Sequence, residues 1–294
     1  MELIIVLQII ISGISVGSIY ALIGVGMTVA LNASSLVNSL HGEFVVLGGI
    51  LCFVFYKYVV GSLPVAILLA ILAVTFVGAV VERMLVAPMV KKGASLLLVM
   101  ILTLGATNVF WSMEFLLWGW EPVTLPHFSS VAVMPLLGAV ITTQNFWVLG
   151  IAAVAVALLQ VFYTKTKLGQ ALLACSINRD AASLMGINVG RMVMISFAAS
   201  GALGAVAGVA MTSVSYMRYD LGLGLLLKAF AASIIGGMGN VVGAIVGGVI
   251  LGLLESVSTG IVEAGYRDAI SFSLVILMLL FWPRGLFGSH LIED

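Results

Sequence analysis

The chain has 294 residues, and its 12 lysines and arginines balance its 12 aspartates and glutamates. Hydrophobic residues make up 62% of the chain and charged residues 8%, whereas a soluble domain is about 45–50% apolar and about 25% charged. This composition excludes a water-soluble enzyme and a disordered chain, and the absence of a basic excess excludes a nucleic-acid binder. What remains is an integral membrane protein.

Continuous apolar runs show how the chain crosses the bilayer. A hydrocarbon core of about 30 Å takes about 20 helical residues, whereas outer-membrane strands would alternate apolar and polar residues. The first run, from the N-terminus to about Leu31, is too long for a signal peptide and predicts a retained first helix. Further runs span residues 63–81, 96–117, 146–162, 192–214, 241–262 and 269–282. The sequence therefore predicts an all-α, polytopic transmembrane helical bundle of about 8–10 spans in a single domain, residues 1–294, in which weak internal duplication is plausible.

Two apolar pieces, residues 43–56 and 225–238, are shorter and are bordered by polar or glycine-rich backbone at 38–43 and 236–240. Each covers only about 21 Å as a helix. Irregular backbone at membrane depth is tolerated only beside protein or a water-filled path, and paired interruptions point to a transport pathway. We therefore predict two interrupted or re-entrant segments. Their candidate path residues are Asn38, His41, Gly42, Glu43, Lys228, Gly236, Gly237, Gly239 and Glu255.

The polar residues at these segments have two interpretations each, since an ionisable group inside a membrane is costly and suggests a function. Asn38, His41 and Glu43 either line a path for a zwitterionic solute or cap and pin the break. Lys228 either reaches the outer surface or pairs with a carboxylate such as Glu255. Glu255 in turn either has a structural partner or contacts the solute.

Glycines four residues apart form ladders along several runs. The ladders are 13/17, 204/208, 239/243/247 and 248/252. Small residues at this spacing let membrane helices approach closely. The ladders indicate either tight helix packing in general or the lining of a narrow path.

Basic residues orient the helices, because cytoplasmic loops carry the excess of lysine and arginine. Residues 93–164 contain neither, so the loop 119–144 is predicted outside. The residues predicted inside are Arg83, Lys91, Lys92, Lys165, Lys167, Arg179, Arg191 and Arg284; those predicted outside are Lys57, Arg218 and Arg267. Charged groups expected at or beyond the outer rim are Glu114, Glu121, His127, Arg218 and Asp220. They serve either as contacts for a binding protein or as solvated loop charges.

The longest polar stretch, residues 164–191, predicts a short amphipathic helix on the cytoplasmic side. Asn178 can cap a helix that begins near Arg179, and Gly186 can end it in left-handed geometry. Asp180 suits the dipole in its first turn. The residues that would share one side are Ala181, Leu184 and Met185. This helix either docks into a groove on a partner or simply connects two spans.

The order Ala-x-x-x-Asn-Arg-Asp-Ala-Ala-x-Leu-x-Gly-Ile in this stretch resembles the cytoplasmic coupling loop of branched-chain amino-acid type permeases of ABC importers. Other segments agree in order with the first helix, the Asn-x-x-His-Gly-(Glu) signature, the second-half signature and the C-terminal end of that family. These segments are residues 20–26, 38–44, 228–232 with 236–244, and 266–268 with 283–288. The resemblance runs from about Ile11 to Gly288 and is closest to the shorter of the two permease types.

The resemblance implies a five-part importer with a periplasmic binding protein, two permeases (often a heterodimer) and two cytoplasmic ATP-binding subunits. This chain would be one permease in the bacterial inner membrane, and the residues contacting the ATPase would be Arg179, Asp180, Ala181, Ala182 and Gly186. The expected solutes are leucine, isoleucine and valine, with urea, amides or other amino acids as alternatives. The chain has no Gly-x-x-x-x-Gly-Lys-Ser/Thr phosphate loop, so ATP hydrolysis would belong to partner chains.

Alternatives from other classes are a self-sufficient secondary transporter or channel and a membrane-embedded enzyme. An enzyme would need a nucleophile–base or metal constellation, which His41 and Glu43 alone do not supply. Cys52 and Cys175 are far apart in sequence, and neither they nor the three histidines show a metal-ligand spacing. We therefore expect no disulfide, metal or cofactor.

Overall fold

The structure is a computed structural model that describes residues 2–129, 133–136, 139–261, 267–282 and 285–288. The helices are α1 (Glu2–Ser34), α2 (His41–Val54), α3 (Leu63–Val81), α4 (Ala87–Lys91), α5 (Leu96–Trp118), α6 (Thr143–Lys165), α7 (Lys167–Ile177), α8 (Arg179–Leu184), α9 (Val189–Val214), α10 (Gly222–Gly236), α11 (Val241–Ile261) and α12 (Arg267–Phe281). Two short strands, β1 (Val133–Leu136) and β2 (Ala139–Thr142), pair antiparallel in the connection before α6. The predicted helical bundle is confirmed, with this hairpin as an addition to it.

Eight helical segments in the described part of the chain are long and apolar enough to cross a membrane, at the lower end of the predicted range. The two pieces predicted to be short are longer than expected. A π-helical turn, Phe55–Val60, extends α2 to a span of 20 residues, and a 3-10 turn, Tyr219–Leu221, extends α10 to 18 residues. The breaks themselves are present at residues 35–40 and 237–240.

Helix contacts repeat between two halves of the molecule. Helix α1 packs antiparallel on α11, where Gly13 lies against Leu253 and Gly17 lies against Val249. Helices α3 and α9 pack antiparallel in the same way. Helix α2 runs parallel to α9, and α10 runs parallel to α1. Helices α1, α2 and α3 therefore correspond to α9, α10 and α11: the α1–α11 contact matches the α9–α3 contact, and the α2–α9 contact matches the α10–α1 contact.

The two halves run in opposite chain directions. Ala33, near the end of α1, shares a cluster with Met192, near the start of α9. Further along, Gly26 lies against Leu203. Helices α1 and α9 are thus antiparallel, and the fold is an inverted repeat of the kind found in membrane transporters.

The loops divide between two ends of the bundle. Val123 bridges to Met217 after α9, and Leu125 packs with Cys52 beside the α2–α3 turn, so these connections share one end. Helices α7 and α8 pack with the end of α1 at the other end. This division agrees with the two predicted groups of loops. Arg284 and the side chain of Arg267 lie outside the described residues.

The glycine ladders place backbone against backbone where α1 meets α11. A side chain at Gly248 would collide with the backbone of Ala21, whereas nothing lies within 4 Å of the Cβ position at Gly150 on α6. We expect Gly248→Ala to destabilise the fold by about 1–3 kcal/mol through overpacking. Gly150→Ala is the matched control and should be neutral or slightly stabilising. Thermal unfolding midpoints in detergent measure both; equal midpoints would contradict the close packing of α1 on α11.

Candidate functional site

The first break is fixed by His41, the first residue of α2, whose side chain is fully buried. Its Nε2 lies 2.8 Å from the carbonyl oxygen of Ile23 on α1, and its Nδ1 lies 2.9 Å from Oγ of Ser200 on α9. Because a carbonyl can only accept, Nε2 carries the proton, and in the neutral ring Nδ1 accepts from Ser200. Both ring nitrogens are thus engaged by protein groups, which favours the pinning interpretation for His41.

The backbone that precedes His41 is also satisfied by protein. Asn38 Oδ1 accepts a hydrogen bond from the amide of Leu40 at 3.1 Å. Helix α5 provides partners for Ser39, since Thr103 Oγ1 accepts from its amide at 3.4 Å and Thr107 Oγ1 donates to its carbonyl at 3.3 Å. The irregular segment is therefore stabilised by α5, as irregular backbone inside a bundle must be.

Glu43 has a buried carboxylate that lacks a complete set of partners, and the Nδ2 of Asn38 likewise has none among the described residues. The residue is 2% exposed, and Oε2 has no hydrogen-bond partner among the described residues. It packs directly against Gly222 at the start of α10, where any side chain would collide with it. Gly42 is equally constrained, because a side chain there would collide with the carbonyl of Gly222. The first residues of α2 therefore pack directly against the first residue of α10, with no room for a side chain between them.

Glu114 lies toward the outer end, where its neighbours Trp111 and Phe115 pack on Tyr219, but its side chain is buried and not exposed as the sequence suggested. The residue is 1% exposed, and both carboxylate oxygens lack a hydrogen-bond partner within the described part of the chain. The expectation of an exposed charge failed because Glu114 lies near the end of an apolar run, where sequence alone does not show which side is covered. The side chains of Glu121 and His127 are exposed, as predicted.

The second break is stabilised by the C-terminal segment. Gly237 and Gly239 have positive φ angles of 101° and 88°, a conformation that glycine adopts readily. The amides of Leu286 and Phe287 donate to the last carbonyls of α10, each at 2.9 Å. Asn32 of α1 donates to the Gly239 carbonyl at 2.7 Å. Gly236 packs against Gly243 at the start of α11 without room for a side chain.

Lys228 belongs to a buried cluster and does not reach freely to the surface. Its Nζ forms an ion pair with Glu255, lies 3.0 Å from Asp268 and donates to the hydroxyl of Tyr20 at 3.2 Å. Tyr20 donates to Glu255 at 2.7 Å, and Ser271 donates to it at 3.2 Å. Pairing with Glu255, the second of the two predicted alternatives, is what the structure contains. Tyr20 and Ser271 were not predicted.

The cytoplasmic stretch forms α7 and the short helix α8. Asn178 Oδ1 accepts from the amide of Ala181 at 2.9 Å, and Gly186 has a φ of 82°, so the predicted cap and the predicted left-handed end are confirmed. Ala182 is buried against α7 and α9. The Arg179 guanidinium turns inward, with Nε and Nη2 enclosed and without a partner among the described atoms, and burial lowers its pKa.

Helix α8 exposes an apolar end. Leu184 is 89% exposed and Met185 is 84% exposed, and Ile177 at the end of α7 is exposed to 80%. Asp180 and Ala181 are exposed beside them. Among the predicted coupling residues, Asp180 and Ala181 therefore face outward, whereas Arg179 and Ala182 pack inward. Leu184 and Met185 form what we call the α8 knob.

The outer end carries a separate ion pair. Arg218 donates to Asp220 through Nε and Nη2, each at 2.5 Å, and these hydrogen bonds raise the pKa of Arg218. Both side chains are about one-third exposed, at 38% and 31%. They therefore remain available as a surface for contact at this end.

Comparisons with known proteins cover nearly the whole chain. The profile of the family described as "Branched-chain amino acid transport system / permease component" matches residues 9–281. The chain is 30% identical to the high-affinity branched-chain amino acid transport system permease protein LivH of Escherichia coli K12, over 98% of this chain and 97% of the relative. It is 28% identical to the ribose import permease protein RbsC of Haemophilus influenzae, over 89% of this chain and 80% of the relative. A solved structure of PsaBC from Streptococcus pneumoniae with a Fab is similar in fold, with a TM-score of 0.51 at 15% identity, over 94% of this chain and 91% of that one.

Proposed function

The chain belongs to the branched-chain amino acid transport permease family, and on this premise we propose that it passes leucine, isoleucine and valine across the bacterial inner membrane. The solute comes from a periplasmic binding protein, and two cytoplasmic ATP-binding subunits supply the energy. A second permease, identical or related, completes the complex. The observation that supports this proposal most is the match along 98% of the chain to a relative named for this transport.

The described geometry supports the same assignment at both ends of the molecule. An inverted repeat with two interrupted segments suits alternating access around a central path. The α8 knob suits docking into a groove of a partner. Its two apolar side chains are each at least 84% exposed, and an apolar groove would remove them from water. Asp180 and Ala181 lie at the edge of that surface, Ala182 packs α8 onto the bundle, and Gly186 ends the helix.

Transport measurements test the solute. In proteoliposomes that hold the complete complex, we expect ATP-dependent uptake of leucine, isoleucine and valine that urea and acetamide do not inhibit. The chain alone, without ATP, should move none of these solutes; uptake by the isolated chain would instead establish a self-sufficient carrier or channel. Uptake of urea in preference to leucine would overturn the assigned solute and leave the permease assignment intact.

A further inference from the structure

Two carboxyl groups inside the bundle have no counter-charge among the residues that the structure describes. Glu43 on α2 is 2% exposed and Glu114 on α5 is 1% exposed. Glu43 Oε2 and both oxygens of Glu114 have no hydrogen-bond partner within the described ranges. Helices α2 and α5 contact each other, and both contact the turn Tyr219–Leu221, so the two side chains lie on neighbouring segments. Burial of an unpaired carboxylate is among the most costly arrangements in a membrane protein, which makes such a pair a candidate for function.

Both carboxyl groups surround one short connection between α9 and α10. Glu43 packs against Gly222 at the end of this connection. Trp111 and Phe115, on either side of Glu114 in sequence, pack on the ring of Tyr219 with centroid distances of 5.8 and 5.1 Å. The aromatic rings are only half-buried and lie toward the outer end, where residue 217 bridges to residue 123.

Two described basic residues, one on α10 and one just before it, are engaged elsewhere. Lys228 binds Glu255 and Asp268, and Arg218 binds Asp220. A metal ion is a poor fit, because the described residues hold no group of three or more His, Cys, Asp or Glu side chains suited to one. A primary ammonium group fits better, since its three donors match unpartnered carboxylate oxygens and aromatic faces stabilise a nearby cation.

We propose that Glu43 and Glu114 bind the ammonium group of an amino acid in transit and so select protonated amines over neutral amides. This inference rests on the proposed function and names the solute chemistry that the path recognises. A neutral solute such as urea would leave the carboxylates without a counter-charge, and sites with unpaired buried polar groups discriminate strongly. The pair thus adds a second selection step to that of the binding protein.

Binding of a matched pair of probes tests the site without transport. The full chain in phosphatidylcholine nanodiscs is titrated with 3-methylbutylamine and with 4-methylpentanamide, which carry the same 3-methylbutyl group and differ in charge, and saturation-transfer NMR reports binding. We expect the amine to bind and E43Q/E114Q to weaken it by about tenfold. The matched control E121Q removes an exposed carboxylate and should bind as the wild type does. Equal binding of amine and amide, or amine binding that survives in E43Q/E114Q, would overturn the proposal.

The thermal midpoint of E114Q is a second measurement, because a purely structural role for Glu114 would not combine a higher midpoint with weaker amine binding. Glutamine keeps the size of glutamate and removes the buried charge, so E114Q should raise the thermal midpoint by about 2–4 °C while it weakens amine binding. A lowered midpoint would mean that the carboxylate is already neutralised within the folded chain and would contradict the proposal. So would loss of amine binding in 150 mM NaCl at neutral pH (an ionic strength of about the physiological value), since an inorganic cation would then be the ligand.

Leucine uptake by the complete complex, measured in parallel, separates this inference from the proposed function. Absence of leucine uptake in the wild type, with amine binding intact, overturns the proposed function and leaves the site standing. Wild-type leucine uptake in E43Q/E114Q overturns the site and leaves the proposed function standing. The two failures are therefore distinct.

Discussion

Replacing both residues of the α8 knob by aspartate, L184D/M185D, should abolish ATP-driven uptake and release the ATP-binding subunits during purification. Burial of a leucine or methionine side chain contributes about 1.5–3 kcal/mol, and a carboxylate at the same contact adds a desolvation cost. Each 1.4 kcal/mol is about a tenfold change in affinity, so the combined loss should exceed about a hundredfold. Co-purification of the subunits with the tagged chain measures the loss directly.

The matched control for this variant exchanges the two apolar residues, L184M/M185L. It keeps the exposed apolar surface and should retain both the bound subunits and the uptake. The chain itself should fold normally in every case, because Leu184 and Met185 are almost fully exposed and make no core contacts. Retention of the ATP-binding subunits by L184D/M185D would show that α8 is not the docking element.

The sequence predicts local features of α8 well because they depend on neighbouring residues. The Asn178 side chain accepts from an amide only three residues further on, and Gly186 ends the helix with a left-handed conformation. Both features follow from short-range backbone geometry, and both were predicted. The direction of the Arg179 side chain did not follow, since it depends on how α7 and α9 pack behind α8. Composition likewise predicts the helical bundle, because the length of an apolar run is a local property.

Tertiary partners lie beyond the reach of local patterns. The glycine ladders predict close approach of helices, yet only the structure shows that the ladder at 13/17 meets the ladder at 248/252. For Lys228 the sequence left two alternatives, the outer surface or a carboxylate partner. The choice stayed open because ion pairing depends on a neighbouring helix and not on the residue itself. The burial of Glu114 was missed for the same reason, since burial of one face of α5 depends on the connection that packs against it.

The breaks at His41 and Gly237 are not equivalent positions of the inverted repeat, because the first separates α1 from α2, whereas the second separates α10 from α11, the counterparts of α2 and α3. In each half, a helix that follows or precedes a break packs parallel to the first long helix of the other half: α2 lies on α9, and α10 lies on α1. The parts that close each break nevertheless differ, because α5 serves the first break and the C-terminal segment serves the second.

Removal of Glu255 should strongly destabilise the chain. Glu255→Ala leaves the buried Lys228 without its main partner and removes the acceptor for Tyr20 and Ser271. Breaking one side of a buried pair costs about 3–5 kcal/mol. We expect a loss of that size in the free energy of unfolding, measured in a mixed-detergent titration.

A compensated variant decides whether this cluster is structural or serves the solute. K228M/E255Q removes both charges together and keeps an acceptor for Tyr20, so most of the stability should return, because neutral replacement of a buried pair is often tolerated. The exposed pair is the matched control: Arg218→Ala should change stability little, since solvent screens it. Normal leucine uptake by K228M/E255Q would establish a structural role for the ion pair, whereas loss of uptake in a stable variant would place Lys228 and Glu255 in the path of the solute.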